Sequence, residues 1–493
     1  MRKSGVLMHI ASLPNSYGIG TMGQSACEFV DFLAKAGQSY WQILPVCPTS
    51  YGDSPYQSFS TFAGNPYLID LDDLAKDGLL KKSEYELVDW ENTPEQINYG
   101  ALYEKRYPIL RLAVKRLLEA PWDAYELFCE ENAYWLDDYS LFMTLKSVNN
   151  GKAWTEWPKE LRNHEEDALK AVREVLKDEI TFWKGIQFLF FHQWVKIRAY
   201  ANEKGISIIG DLPFYVALDS VDAWAHSELF QLDEHRKPLG VAGCPPDGFS
   251  ATGQLWGNPL YNWEVHEKEN YKWWIQRIGY LCKVYNVLRI DHFRGFDTFY
   301  AIPYGDKDAS RGKWQDGPGM KLFNAIEKAI GKQQIIAEDL GFMTDSVKKL
   351  LEDSGFPGMK VLEFGFDKRE ANHEDYLPEN YVEHCVAYTG THDNDTVQGW
   401  FVTANPEDIE FAKEYLNCKE PENYHWDMMN VLWASVAELT IVQAQDILGL
   451  GSESRMNTPS TMGGNWQWRA LPGVFTEELA EKIAGYMKEY NRN

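Results

Sequence analysis

Long hydrophobic runs are missing from this chain. No apolar stretch approaches the ~18–20 residues that span a bilayer, and MRKSGVLMHIASLP at the start holds one short apolar run soon closed by a turn, unlike a secretory signal. Positive charge is scarce as well: 48 Lys and Arg stand against 73 Asp and Glu, a formal net charge of −25. So acidic a surface repels phosphate backbones and anionic lipid, which argues against nucleic acid and membranes as partners and favours a neutral or cationic ligand. The seven cysteines (27, 47, 129, 244, 282, 385, 418) are scattered and odd in number, with no C-x-x-C, and the histidines show neither H-x-x-x-H nor H-E-x-x-H. These spacings argue against a disulfide framework and against structural zinc. A soluble protein of a reducing compartment, the cytoplasm, is expected.

Aromatic residues, by contrast, are abundant: 19 Trp, 27 Tyr and 24 Phe in 493 residues. Several fall in polar, Gly- and Pro-rich stretches (YGDSPYQSF, TGQLWGNPLYNW, GGNWQWR) rather than in helical stripes. A ring in a polar loop can grip a sugar by stacking on its C–H face while polar neighbours bind hydroxyls. Burial in a core is the ordinary alternative.

Short apolar runs recur along the chain, several ending in polar residues: GVLMHIASLP (5–14), SYWQILPV (39–46), ISIIGDLPFYV (206–216), VLRIDHF (287–293), QIIAEDLG (334–341), MKVLEFGF (359–366), CVAYTGTHDND (385–395) and LTIVQAQDIL (439–448). Helical patterns over 25–37, 181–205 and 271–286 alternate with them. Near-continuous apolar strands alternating with helices predict a parallel sheet covered on both faces. Eight of them predict a (β/α)8 TIM barrel, with a doubly wound open sheet as the alternative. Two gaps exceed a simple βα link. Residues 47–180 hold a loop and charged helical segments, an inserted subdomain; residues 217–270 read as a long active-site loop with few helix formers. The final helical pattern, 475–490, nearly ends the chain, so 1–493 is expected to be a single barrel with insertions and no separate C-terminal domain.

At the C-terminal ends of barrel strands, where active sites gather, the polar endings fall into one ring: Asp211, Asp291, the pair Glu338 and Asp339, and His392 with Asp393. Arg289 and Asp291 are two apart on one strand and share a face, so the arginine is expected to hold the aspartate ionised. Two carboxylates flanking an acetal can cleave a glycosidic bond, one ionised to attack the anomeric carbon and one protonated for the leaving oxygen. The apolar QIIA before Glu338 and the nearby acids would raise its pKa. Taken singly, each acid reads more readily as a cap or a lysine partner; three at the ends of separate strands, beside an Arg and a His, read as a site.

The motifs SYGIGTMG, GDSPYQSFSTFAGNPYLIDLDDL, GDLPFYVALDSVDAW, PPDGFSATGQLWGNPLYNW, RIDHFRGF, AEDLG, GTHDNDTVQGW and RMNTPS…NWQWR run through nearly the whole chain. Together they resemble glycoside hydrolase family 77, the 4-α-glucanotransferases (amylomaltases or disproportionating enzymes), relatives of the α-amylases. The resemblance implies a (β/α)8 barrel without metal or organic cofactor and transfer of α-1,4-glucan segments between maltooligosaccharide chains. By resemblance, Asp291 is the nucleophile, Glu338 the acid/base and Asp393 the transition-state stabiliser. Arg289 and His392 contact the sugar at the reacting centre, while Tyr56, Asp247, Phe249, Trp256 and Asn457 line the glucan groove. Asp211 is counted with the substrate-binding residues, although its motif often supplies a support. Tyr51 and Tyr99 are candidates for a second, surface glucan site. The chain departs from the family pattern at Gly248, where a bulkier residue is usual, and at Ser460, where a glycine is expected.

Transfer needs a retaining scheme, because only a sugar held on the enzyme's own carboxylate can be captured by another sugar. Retention predicts carboxyls ~5–5.5 Å apart, against ~6.5–9.5 Å for inversion. Water must also be held off, a task the aromatic stretch 247–256 suits as a lid. The alternatives are an α-amylase-type retaining hydrolase and a non-catalytic glucan-binding protein.

Overall fold

The computed structural model describes residues 2–50, 52–246, 251–341 and 343–492. Twelve strands occur among them: β1 (Lys3–Leu7), β2 (Tyr40–Gln42), β3 (Ser207–Leu212), β4 (Gly240–Cys244), β5 (Gln254–Pro259), β6 (Val287–Ile290), β7 (Thr298–Pro303), β8 (Lys313–Asp316), β9 (Ile335–Ala337), β10 (Gly358–Val361), β11 (Cys385–Tyr388) and β12 (Leu439–Gln443). Eight of these form one parallel sheet in the order β10-β11-β12-β1-β2-β3-β6-β9. The Ala337 N–H at one edge donates to the Pro357 carbonyl beside the other, at 3.0 Å, and the sheet closes as a (β/α)8 barrel. The eight apolar runs singled out in the sequence supply its eight strands, and closure excludes the open doubly wound sheet.

Helices cover the barrel as the 3.6-residue period predicts, at Gln24–Lys35, Lys177–Glu203, Lys272–Val284 and Glu477–Glu489. Gln24–Lys35 buries Phe29, Val30 and Leu33, and the Lys177–Glu203 helix is followed by Gly205, whose φ of +80° suits glycine. Between β2 and β3 the chain builds further helices, among them Tyr99–Glu119 and Ala133–Val148, which pack on Lys177–Glu203. The Tyr388 hydroxyl donates to Gln42 Oε1 at 2.8 Å, joining two strands that are not neighbours in the sheet.

The stretch 217–270 differs from the loop expected of it. It supplies β4 and β5 to a second, antiparallel sheet of order β5-β4-β7-β8, with Val241, Tyr300, Ile302 and Ala309 as a small core. Its strands escape sequence reading for a physical reason. GVAGC carries two glycines and a register shift between Val241 and Gly243, and β8 is exposed throughout, so neither shows the alternation that marks a half-buried strand. Among the described residues, no helix is long and apolar enough to cross a membrane.

His266, buried among Tyr261, Trp263 and Trp273, and His425 both have pKa values pushed down by burial, to about 4. An unfolded histidine titrates near 6.5, so below that pH the unfolded chain takes up protons the folded chain refuses. Stability should therefore fall as pH drops from about 6.5 to about 4, by roughly 1.4 kcal/mol per pH unit for each such histidine. Urea midpoints at pH 7 and pH 5 should show the fall, and His266→Gln should shrink it; an undiminished fall in the variant would remove His266 from the account.

Candidate active site

The register of β3 against β6 sets Asp211 directly beside Arg289. Arg289 Nη1 meets Asp211 Oδ2 at 2.6 Å and Nη2 meets Asp291 Oδ1 at 3.1 Å. The guanidinium is thus shared, and its shorter contact goes to Asp211. The Asp211 side chain is fully buried, while Asp291, one residue past the end of β6, is 30% exposed. Asp211 also accepts the Tyr56 hydroxyl on Oδ2, at 2.7 Å, and its Oδ1 makes no hydrogen bond among the described residues. Counted in the sequence with the substrate-binding residues, Asp211 is held in the structure by Tyr56 and Arg289, away from solvent.

Glu338 follows β9, the strand beside β6, and Ile290 pairs with Ala337. Asp291 and Glu338 therefore each leave their strand one residue past a paired position. The carboxylate of Glu338 accepts the His292 N–H on Oε2 at 2.7 Å and the Leu340 N–H on Oε1 at 2.8 Å. His292 delivers its N–H from a left-handed φ of +50°, a conformation sparsely populated for residues other than glycine and found at functional sites. The adjacent Asp339 turns elsewhere: its Oδ1 accepts the Met359 N–H at 2.6 Å, tying the end of β9 to β10.

Burial lifts Glu338 above the ordinary carboxylate range, against the pull of Arg289 and of the two N–H donors. The expectation that Arg289 holds Asp291 ionised is overturned in direction: burial lifts Asp291 well above that range too, Arg289 opposing and Asp211, Glu338 and Asp393 adding. Asp211, Asp291 and Glu338 thus all act on one guanidinium. Arg289 remains charged: burial works against its cation, but Asp211 and Asp291 outweigh that.

After β11 the chain brings His392 and Asp393 to the same rim. His392 Nε2 lies 3.4 Å from Asp393 Oδ1, and burial lowers the His392 pKa. Its ring stacks on Tyr56 with centroids 5.1 Å apart and planes 13° apart. Asp393, 47% exposed, accepts the Asn457 amide on Oδ1 at 2.7 Å. Trp256 on β5 meets the site through His292, ring to ring at 5.0 Å and 90°, and donates to Gln254 Oε1. Tyr56, Asp211, Arg289, Asp291, Trp256, Glu338, His392, Asp393 and Asn457 are therefore linked in one cluster. Asp247, Phe249, Gly248 and Tyr51 lie outside the described residues.

Two aromatic expectations change. Trp466 and Trp468, read as possible sugar platforms, are buried; Trp466 lies against the Tyr56–His392 stack, 5.9 Å from each ring. Its φ of +65° is an outlier for so bulky a residue. Tyr99, a candidate for a surface glucan site, is buried too, and its hydroxyl donates to the Trp466 carbonyl at 2.9 Å. Beside it the Ile97 N–H donates to the Gln467 carbonyl and the Arg469 N–H to that of Glu95, at 2.9 and 2.8 Å. Ser460 has a φ of +63°, which explains why glycine would suit that position. His292 and Arg455, whose Nη2 donates to the Asp393 carbonyl, are members of the cluster that sequence reasoning misses. Each sits inside a quoted motif, but backbone handedness and carbonyl contacts leave no mark in composition. Among the described residues, no group of three or more His, Cys, Asp or Glu side chains is disposed to hold a metal ion.

A family model described as 4-alpha-glucanotransferase matches residues 8–473. The 4-alpha-glucanotransferase of Clostridium butyricum is 50% identical over 98% of this chain and 100% of its own length, and that of Thermus thermophilus 46% identical over 98% and 97%. Among solved structures, an amylomaltase from Streptococcus agalactiae in complex with acarbose is similar over 100% of both chains, with a TM-score of 0.97 and 44% identity.

Removing Arg289 leaves the buried Asp211 uncompensated. Arg289→Met should cost about 3–5 kcal/mol of stability, the usual effect of breaking a buried pair from one side, and adding Asp211→Asn should recover much of it. Urea unfolding of the two single variants and the double variant measures this; equal costs of Arg289→Met in both backgrounds would refute the pairing.

Proposed function

The chain belongs to the 4-alpha-glucanotransferase family and transfers segments of α-1,4-glucan, and from that premise we propose a retaining double displacement with Asp291 as nucleophile, Glu338 as acid/base and Asp393 as stabiliser. One observation carries the assignment: Asp291 and Glu338 leave adjacent strands at matched positions, bridged by the His292 N–H on Glu338. Neighbouring strands run about 4.8 Å apart, a backbone spacing that suits carboxyls ~5–5.5 Å apart, as retention requires, better than the wider inverting gap.

In the first step Glu338 gives its proton to the glycosidic oxygen while an Asp291 oxygen attacks C1, so the leaving chain departs as an alcohol and a glycosyl-aspartate forms. In the second, Glu338 takes the proton from the 4-hydroxyl of an acceptor glucan, whose oxygen displaces Asp291. Burial, with three carboxylates set against one guanidinium, raises the proton affinity of both Asp291 and Glu338 and so favours keeping a proton in the pair. The proton belongs on Glu338 at the moment of attack, because Asp291 keeps the direct contact with Arg289. Asp393, held by Asn457, faces the oxocarbenium-like ring of the transition state. Neutral His392 and Tyr56 form a stacked wall for the sugar at the reacting centre. Trp256, against His292, shields the intermediate from water. The substrates so read are α-1,4-glucans and maltooligosaccharides. A reducing cytoplasm belongs to the same reading, on the scattered and odd-numbered cysteines.

Purified protein incubated with maltotriose should give glucose and a ladder of longer oligosaccharides, with little net rise in reducing ends. Asp291→Asn and Glu338→Gln should each abolish the ladder while leaving the fold intact; retention of transfer by either would overturn its role. Asp211 raises the proton affinity of Asp291. Asp211→Asn should therefore move the acidic limb of the kcat/KM pH profile to lower pH, and a limb that stays or moves upward contradicts the electrostatic account.

A further inference from the structure

Arg455 follows the short turn Ser452–Ser454 and is half-buried. Its Nη2 donates to the Asp393 carbonyl at 2.6 Å and its Nε to the Asn457 carbonyl at 2.8 Å. Asn457 in turn donates its main-chain N–H to the His392 carbonyl at 3.1 Å and its amide to Asp393 Oδ1 at 2.7 Å. One planar guanidinium thus grips the main chain of two segments, the loop after β11 and the one after β12. The contacts close a ring: Arg455 to the Asp393 main chain, Asp393 side chain to Asn457 side chain, Asn457 main chain back to Arg455. The fork of a guanidinium is rigid, so the two carbonyls are held in a fixed relation.

We propose that Arg455 is a positioning residue for Asp393, acting through the main chain of Asp393 and through Asn457 to aim the Asp393 carboxylate. The rest of the loop is tied down independently. The Asn394 side chain accepts the Thr391 N–H at 2.9 Å, and Ser452 Oγ donates to Asp395 Oδ2 at 2.7 Å. Loss of Arg455 therefore frees the part of the loop that bears Asp393 and leaves its flanks anchored. A lysine reaches one carbonyl as a point donor and cannot hold both in a fork. The proposal rests on the reading of Asp393 as the group that stabilises the transition state. Misplacement of such a group by an ångström costs turnover on the order of 10²-fold.

The test is a double-mutant cycle on glucan transfer from maltotriose, in the full-length protein. Arg455→Gln should lower kcat about 10²-fold with KM changed by less than about threefold, while Arg455→Lys should recover part of the loss. In an Asp393→Asn background, Arg455→Gln should lower the residual kcat no further. A full additional loss in that background, a rise in KM with kcat intact, or wild-type kcat in Arg455→Gln would each overturn the positioning role. Should Arg455→Gln fail to fold, Arg455→Lys carries the same cycle with a smaller first loss. Wild-type kcat in Asp393→Asn alone would instead sink the reading of Asp393, so the two failures are distinguishable.

Discussion

Three carboxylates and one guanidinium share the rim of this barrel, and much of what surrounds them follows from holding that arrangement in order. Arg289 cannot serve Asp291 alone, because the register of β3 against β6 has already set Asp211 beside it. A cation between two acids is held from both sides, which fixes its plane and, through it, the direction of Asp291. Tyr56 completes the set by donating to the oxygen of Asp211 that Arg289 also holds. The tyrosine is thus anchored by a buried acid, and His392 stacks on the ring so anchored. Charge, hydrogen bond and stacking form one chain of dependence from the barrel interior to its mouth.

Closure of the parallel sheet gathers these groups from segments far apart in sequence, and small differences at the strand ends sort their tasks. Glu338 and Asp339 are consecutive acids after the same strand. One collects the N–H groups of His292 and Leu340, and the other reaches across to Met359 on the next strand. The first belongs to the cluster, and the second helps close the barrel that supports it. The left-handed turn at His292 belongs to the same division of labour, since it aims a main-chain N–H at Glu338 rather than along the strand.

The barrel is legible in the sequence because most of its strands are buried on both faces and therefore read as near-continuous apolar runs, each stopping where the polar rim begins. The acids at that rim are legible for the same reason: a carboxylate straight after VLRI or QIIA has few places to be except a strand end. The antiparallel sheet of β4, β5, β7 and β8 is not, because glycine, a bulge and solvent exposure erase the period on which strand reading depends. The sharing of Arg289 is invisible too. Spacing along one strand pairs it with Asp291, whereas the pairing with Asp211 comes from register between strands. Trp466 misleads in the opposite sense, since a polar neighbourhood in sequence says nothing of the rings that cover it in space.

Trp466 also ties distant parts of the chain together. Its carbonyl receives the Tyr99 hydroxyl, and on either side residues 95–97 and 467–469 exchange main-chain hydrogen bonds. The helical segment between β2 and β3 therefore grips the stretch that backs the Tyr56–His392 stack. It is no removable ornament on a minimal barrel. A chimera that exchanged this segment between relatives would have to carry residues 456–469 with it. The two pieces form one unit, although more than 240 positions of sequence lie between them.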